Sequence, residues 1–488
     1  MKKLSDILYK VHIQKVIGNT EVIFHNIEFD SRKISLNDVF IAIDGADVDG
    51  HQFIKHAVNQ GALGVICEKL PEKRVNGVNY IQVENTRIAL AQIADNYYDQ
   101  PSKKLKLTGV TGTNGKTTVC TLLHQLFTDA GYHAGLLSTV SIKIGQKEIE
   151  TNLTTPDSLT INKYLAMMLE AGISHVFMEV SSHGIDQGRS HALDFDIAAF
   201  TNLSQDHLDY HKTFADYRDT KKKLFDQLPK KSIALTNADD KNGHYMLQNC
   251  QAIKRTYACQ QSADFRSKII ANSLTGLSLT MSGQEVHTQL IGKFNAYNIS
   301  LIWAIAVELG LAQANVIRLI SGLKSVAGRF QLSISDQDKI TAIVDYAHTP
   351  DALRNVLQTI NDIRKKDQEL ITIIGCGGNR DKTKRPKMAR IAIDYSDKVV
   401  FTSDNPRHED PVSIIRDMTS ELFDSEKAKT ENLVHREEAI DKACEIISPN
   451  GIILIAGKGH ENYQIIKDEK IHFDDLEMVK SKLTKYQR

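Results

Sequence analysis

The sequence predicts an α/β fold in three domains, built around a mostly parallel central sheet that carries a phosphate-binding loop. Three observations predict it. A strand-like run at 105–110, a glycine-rich turn and an apolar helical periodicity ending near Phe127 follow one another without a gap. Strand-like and helix-like stretches alternate from about 103 to 328, and the same alternation starts afresh from about 329 to 488. Finally, 488 residues suffice for about three domains, each with its own core.

Composition narrows the class. Lys+Arg and Asp+Glu each number 60, so no global field favours nucleic acid or an anionic membrane as partner. No apolar run approaches the ~20 residues of a spanning helix, and the polar start at 1–6 does not read as a secretion signal. The cysteines (Cys67, Cys120, Cys250, Cys259, Cys376, Cys444) form neither a C-x-x-C pair nor a zinc spacing, which fits reduced thiols. The expectation is a cytoplasmic chain, acting as a monomer.

Residues 1–102 read as a small α/β domain with strands at 22–24, 39–43, 64–67 and 80–83. Two polar loops stand out, one at 30–32 that contains Ser31 and one at 45–50, although either alone reads first as a turn. A linker follows at 100–104, marked by its proline and lysines.

The second domain, 103–328, opens with G-T-N-G-K-T-T at 112–118. Between a strand and a helix, such a turn aims backbone N–H groups and the helix's positive end at one point, which suits a phosphate. Gly112, Thr113, Asn114, Gly115 and Thr118 shape that cradle. Lys116 adds a cation for the β- and γ-phosphates, and Thr117 a hydroxyl for Mg²⁺. The longer G-x-x-x-x-G-K-[ST] pattern fails, because its first glycine would fall at Val110. The loop is a shorter form, and it is expected to bind a nucleoside triphosphate. Two further strands end in polar clusters, E-V-S-S-H-G at 179–184 and T-N-L-S-Q-D-H-L-D-Y-H at 201–211. Ligands gather at the carboxyl ends of parallel strands, so Glu179 and His207 are candidates for a metal shell. His183 and His211, each taken alone, read as structural.

In the helix at 214–228, Phe214, Tyr217, Leu224, Phe225 and Leu228 form one apolar stripe. Lys221 lies in its middle, whereas Lys222 and Lys223 point away. Either Lys221 snorkels to water, or it is desolvated with a lowered pKa. In the second case a neutral amine can add CO₂ and become a carbamate, an anion able to hold Mg²⁺. Periodicity does not choose between the two. Short strand-like pieces fill 234–290 without a defensible motif. Asn295 opens an apolar helix, and an adenine contact and a helix cap are equally open for it. Residues 325–329 read as a hinge.

The third domain, 329–488, is Rossmann-like in layout. Strands at 340–344, 370–374, 398–401 and 452–456 run into D-Y-A-H-T, G-C-G-G-N-R-D, S-D-N-P-R and G-K-G-H-E respectively. Thr349 is the expected N-cap of a helix that starts at Pro350. The glycines at 375–378 lack the G-x-G-x-x-G spacing, which argues against a dinucleotide site. The basic run at 380–387 carries five cations and reads as a solvated loop or as the seat of a small anionic substrate. No aromatic interleaving supports nucleic acid there.

Taken in order, G-T-N-G-K-T-T, E-V-S-S-H-G, T-N-L-S-Q-D-H-L-D-Y-H, G-R-F, D-Y-A-H-T-P, G-C-G-G-N-R-D-K and D-N-P-R-H-E-D-P resemble the Mur ligase family, and the resemblance covers nearly the whole chain. It implies an ATP-dependent amide ligase of peptidoglycan precursor synthesis that works through an acyl phosphate. It also implies, residue by residue, a catalytic set of Lys116, Glu179, His207 and Lys221. Thr117, Glu179, His207 and Lys221, the last as carbamate, would surround Mg²⁺. Asn295, Arg329 and Asp345 match adenine- and ribose-side contacts to ATP. Ser31 and the turn Ala46-Asp47-Val48 would lie near the UDP end of UDP-N-acetylmuramoyl-L-alanyl-D-glutamate. Thr154, Thr155, Ser182, Gln187 and Arg189 would meet its muramoyl-dipeptide. The D-N-P-R loop resembles that of members adding meso-2,6-diaminopimelate, with Arg380, Asp404, Asn405, Pro406, Arg407, Gly457 and Glu461 as contacts. Diaminopimelate is lysine with one more ammonium–carboxylate centre, and the planar guanidinium of Arg407 can grip that extra carboxylate with two hydrogen bonds. The alternatives are an L-lysine-adding or folylpolyglutamate-type sibling and, further off, a phosphate-loop ATPase without ligase chemistry.

Overall fold

A computed structural model describes residues 2–45, 48–151, 153–207 and 210–486. Ala46 and Asp47 of the expected UDP-side turn lie outside the described residues, as do Leu208 and Asp209 of the 201–211 motif.

The first sheet has five strands in the order Ile13–Ile17, Asn79–Val83, Gly64–Cys67, Val39–Ile41, Ile27–Glu28, parallel except at the first pair. Its outer strands escape the sequence pattern: Ile13–Ile17 is largely exposed and Ile27–Glu28 is only two residues long. The expected strand at 22–24 is instead a short partner, Ile23–Phe24, of Lys2–Lys3. The expected linker is a packed 3-10 turn, Pro101–Lys104, entered through Gln100 at φ 56° and with Pro101 and Ser102 buried. Proline fits the first position of such a turn because its missing N–H would have no partner there.

The second sheet has eleven strands. Seven consecutive ones, from Ala134–Leu137 to Phe265–Ser273, are parallel, and antiparallel arms close both edges. The motif-free stretch after 234 supplies one of those arms. What matters for function is the middle. Lys106–Thr111 lies between His175–Glu179 and Ile197–Phe200, with Glu179 opposite Val110 and Phe200 opposite Thr111. The helix Lys116–Asp129 buries Val119, Leu122, Leu123, Leu126 and Phe127, and it ends before Gly131 at φ 88°. Only glycine adopts that φ without steric cost.

The third sheet runs Gln331–Ile334, Thr341–Asp345, Ile452–Ala456, Leu370–Cys376, Lys398–Ser403, Thr430–Asn432, antiparallel only at its first pair. Asp345 sits opposite Ala456, and Cys376 opposite Ser403, so the four polar strand ends line one edge. Thr349 caps the helix Pro350–Ile363 by accepting from the Ala352 N–H. The expected hinge is a tight crossing. A Cβ added to Gly328 would stand 2.0 Å from the His460 nitrogen, and the Gly328 carbonyl accepts from Tyr346 N–H. Among the described residues no helix is long and apolar enough to cross a membrane. All six cysteines are free and buried.

Candidate active site

The phosphate loop is held by its neighbours' backbone. Thr113 N–H donates to the Asn202 carbonyl at 2.8 Å, and Asn114 N–H to Asn202 Oδ1 at 3.1 Å. Thr201 Oγ1 donates to the Asn114 carbonyl at 2.6 Å. Gly112 is at φ 148°, and a Cβ there would stand 1.9 Å from Thr201 Oγ1. Gly115, at φ 90°, has Asn298 Oδ1 2.6 Å from where a Cβ would be. Both glycines are therefore required by close approach. Lys116 Nζ arches back over the loop to the carbonyls of Gly112 and Thr113, 2.9 Å each. Burial pushes its pKa down, with Glu179 pulling the other way.

Glu179 is the hub beside this loop. Its Oε2 accepts from Thr117 Oγ1 at 3.0 Å and its Oε1 from Thr139 N–H at 2.7 Å. The loop after Ile197–Phe200 brings Asp206 and His207 to the same cleft, with His207 at φ 53°. Burial lowers the His207 pKa to about 4. The imidazole is therefore neutral near pH 7. Among the described residues no three His, Cys, Asp or Glu side chains gather into a metal cage.

Lys221 is 1% exposed. Its Nζ donates to the Gly112 carbonyl at 2.9 Å and lies 4.5 Å from the centre of the Tyr217 ring. Burial, then the nearby Lys116 charge, pushes its pKa well below that of an ordinary lysine. Of the two sequence readings, snorkelling is excluded by this burial. Lys223 points outward as expected, but Lys222 does not: it is 8% exposed, paired with Asp226 and bonded to the Gln248 carbonyl.

On the opposite wall, Asn295 Nδ2 donates to the Ile291 carbonyl and its Oδ1 accepts from Asn298 Nδ2 at 2.9 Å. Gly292, not Asn295, is the helix N-cap. Arg329 Nη2 reaches Thr117 Oγ1 at 3.3 Å while its guanidinium stacks 4.5 Å over Tyr346. Asp345 accepts from the Phe330 and Ala347 N–H groups at 2.7 and 2.8 Å. Phosphate loop, Asn295, Arg329 and Asp345 all line one cleft of about 500 Å³.

Arg189 ties together a second group. It donates to Gln187 Oε1 and to the Thr155 carbonyl, the latter at 2.6 Å. Thr155 Oγ1 in turn donates to the Glu179 carbonyl, and Thr154 Oγ1 accepts from Thr139. The Ser182 hydroxyl is buried without a hydrogen-bond partner. Ser31 stands apart, buried in the 3-10 turn Ser31–Lys33 of the first sheet.

A larger cleft of about 1590 Å³ opens between the second and third sheets. Arg380, Asp404, Asn405, Arg407, Gly457 and Glu461 line it from one side, and Thr139, Asp206 and His207 from the other. Asn405 Nδ2 donates to Glu461 Oε2 at 2.8 Å, and Arg407 Nη1 to the Gly378 carbonyl at 3.0 Å. Pro406, the remaining expected contact, is not among the residues that line this cleft; its carbonyl packs on Gly378, 1.9 Å from where a Cβ would be. Burial, then Asp404, pushes the Glu461 pKa up. The basic run at 380–387 does not act as one patch. Arg385 is fully buried on Glu409 and Asp417, Lys384 donates to the His348 carbonyl, and Lys382 faces Glu409. Only part of the run can face an anionic substrate.

Sequence reasoning missed Asn298, Asp206 and Lys458. Two amides three residues apart in an apolar helix, at 295 and 298, were the available signal for the first.

A phosphate loop flanked by a carboxylate and a buried lysine, facing a second α/β layer across a shared cleft, defines a nucleotide-dependent ligase class. Comparison with known proteins supports the class. The Mur ligase family catalytic domain matches residues 23–98, the Mur ligase middle domain 110–307, and the Mur ligase glutamate ligase domain 328–459. A protein of Cytophaga hutchinsonii named UDP-N-acetylmuramoyl-L-alanyl-D-glutamate--2,6-diaminopimelate ligase is 48% identical, covering 99% of both chains. One of the same name from Bacteroides fragilis is 47% identical over 98% of both. A solved structure titled with that name superposes at a TM-score of 0.71 with 30% identity, covering 100% of this chain and 99% of its own. The chain belongs to the Mur ligase family.

Proposed function

We propose that this chain is the ATP-dependent ligase that joins meso-2,6-diaminopimelate to UDP-N-acetylmuramoyl-L-alanyl-D-glutamate, a cytoplasmic step of peptidoglycan precursor synthesis. One observation carries the reading: the two clefts adjoin, sharing Thr139, Asp206, His207, Tyr346, His348 and Thr349 in their linings. A carboxylate phosphorylated in the first would face an amine held in the second. The relatives' shared name supports the same substrates.

Three units divide the work: 1–102 for the UDP end, 103–328 for ATP, and 329–488 for the amino acid. Asn295, Arg329 and Asp345 hold the nucleoside, and residues 112–118 hold the phosphates. Thr154, Thr155, Ser182, Gln187 and Arg189 orient the dipeptide so that its D-glutamate carboxylate faces the γ-phosphate. That carboxylate attacks phosphorus and the bond to ADP breaks, leaving an acyl phosphate. The free amine of diaminopimelate then adds to the acyl carbon, and the tetrahedral intermediate expels phosphate while the nitrogen loses its proton. Both steps gather negative charge, which Lys116 and the loop N–H groups stabilise from fixed positions. Arg407 grips the distal carboxylate, and Asp404 with Glu461 receives the distal ammonium.

The residues present fit Mg²⁺, a hard cation that takes oxygen ligands and shares them with phosphates. Thr117 and Glu179 already point their oxygens at one another. Lys221, buried and with a lowered pKa, is suited to add CO₂ as the neutral amine, releasing a proton and giving a carbamate. Thr117, Glu179, His207 and the Lys221 carbamate would hold the ion, which would supply charge neutralisation for the phosphates.

The test is phosphate release by the purified chain with ATP, UDP-N-acetylmuramoyl-L-alanyl-D-glutamate and a panel of amino acids. Release is expected with meso-diaminopimelate and not with L-lysine. Release with lysine alone would make it the sibling ligase, and release indifferent to both acceptors would overturn the ligase reading.

A further inference from the structure

We infer that Lys458 is a positioning residue that sets the charge of the amino-acid pocket: its buried ammonium answers one of the two carboxylates Asp404 and Glu461, leaving one net negative charge for one substrate ammonium. This deepens the proposal above and rests on its reading of the third-domain cleft as the seat of a diamino acid.

The Lys458 side chain is fully buried. Its Nζ stands 3.5 Å from Glu461 Oε2 and 4.0 Å from Asp404 Oδ1, and it donates to the Tyr463 carbonyl. Asp404 Oδ1 is buried without a hydrogen-bond partner. Asn405 braces Glu461 from the other side. Another cation behind this strand edge, Arg436, is already answered. Arg436 is paired with Asp475 through two 2.7 Å hydrogen bonds, both side chains fully buried, and it also donates to the Ala456 carbonyl. Tyr346 and Tyr463 face Glu461 and stay neutral, since burial raises both phenols. Arg407 is turned to the carbonyls of Gly378 and Asn405. Within 4.0 Å of the Lys458 ammonium, two carboxylates then stand against one cation.

The consequence is chemical. Two neighbouring carboxylates without a counter-charge share a proton, because the second cannot ionise beside the first. A pocket in that state would offer the incoming ammonium a carboxylic acid in place of a second acceptor. With Lys458 present its ammonium offsets one of the two carboxylates, and the pocket presents Arg407 to a carboxylate and the remaining acceptor to an ammonium. That is the charge pattern of one zwitterionic amino-acid centre.

The test compares Lys458→Met, Lys458→Arg and wild type in phosphate release driven by meso-diaminopimelate, following KM for each substrate and the pH dependence of kcat/KM. Lys458→Met is expected to raise KM for diaminopimelate by at least about tenfold, equivalent to about 1.4 kcal/mol of lost charge interaction, and to move the acid limb of the profile toward neutral pH. KM for ATP is expected to hold, and Lys458→Arg to return the limb. A purely structural lysine would lower the melting temperature and kcat without moving the limb. If Lys458→Met does not fold, Asp404→Asn decides. It keeps the cation, weakens diaminopimelate binding, and moves the acid limb down because Glu461 loses a like-charged neighbour. An unmoved limb in the folded variant overturns the inference, whereas a wild type that does not use diaminopimelate overturns the functional reading beneath it.

Discussion

Lys221 and Arg407 put their charge chemistry in opposite settings. Lys221 is enclosed by the Tyr217 ring and the Gly112 carbonyl, where an ammonium is poorly solvated. Lys221→Ala is expected to abolish phosphate release, with partial recovery when a short-chain carboxylate stands in for the carbamate. Full activity without added carboxylate would remove the carbamate from the account. Arg407, at φ 51°, is only half-buried and can reach a bound carboxylate. Sites built around a hydrogen-bonded group reject analogues lacking it by on the order of 10⁴, and Arg407→Ala is expected to lose most of such a preference over lysine while KM for ATP stays put. A competition assay with both amino acids reads this directly. At this scale the sequence was informative where a stripe was: 100° per residue singled out Lys221. It misplaced Lys222, because the helix Gly243–Met246 and the chain after it cover a second face of that helix. Nothing local to 214–228 announces that cover.

Elements explain why chemistry collects at one edge. Three adjacent strands of the central sheet end in the phosphate loop, Glu179 and the 201–207 loop, an order that chain sequence alone does not give. The polar clusters at strand ends were legible, and so was the shared edge; the neighbour relations were not, since they depend on crossovers. Gly112→Ala is expected to push the Thr201 loop aside and cost ATP binding about 1–3 kcal/mol, the usual strain of a residue held in a disfavoured conformation. Nucleotide titration of the variant checks it. The basic run at 380–387 shows the converse limit. The helix Lys384–Tyr395 begins inside it and distributes its cations over several faces, sending Arg385 into the core. Arg385→Met would leave Glu409 and Asp417 partly solvated instead of buried alone. The expected loss is therefore about 1.5–3 kcal/mol, the range for hydrogen bonds to charged groups. Thermal unfolding measures it, and an unchanged melting temperature would return Arg385 to the substrate-facing set.

For the whole molecule, the second and third sheets meet through Arg329 on Thr117, Lys293 on Asp362 at 2.8 Å, Phe294 against Phe330 and, at the rim, Lys470 facing Glu150 at 3.9 Å. Acid should test the second and third units through buried histidines, His207 and His348 adding to His124 and His460. His124, on the phosphate-loop helix, and His460, beside Gly328, both have their pKa lowered by burial from 6.5 to about 4. His460 Nδ1 has no hydrogen-bond partner, so the neutral ring is the form the fold accommodates. Between those values the unfolded chain binds protons that the folded one refuses, so stability is fully present above pH 6.5 and lost as pH falls toward 4. Each tenfold weakening of proton binding is worth at most about 1.4 kcal/mol here. The carboxylate Asp30, lowered from 3.8 to about 2 by Arg32, loses its contribution only below that window, which keeps the two effects apart. The melting temperature is expected to fall through the histidine window. His124→Gln should flatten the slope of the second domain's transition and His460→Gln that of the third. A slope unchanged in both variants would mean that the two rings are protonated in the folded chain and that burial does not set their charge.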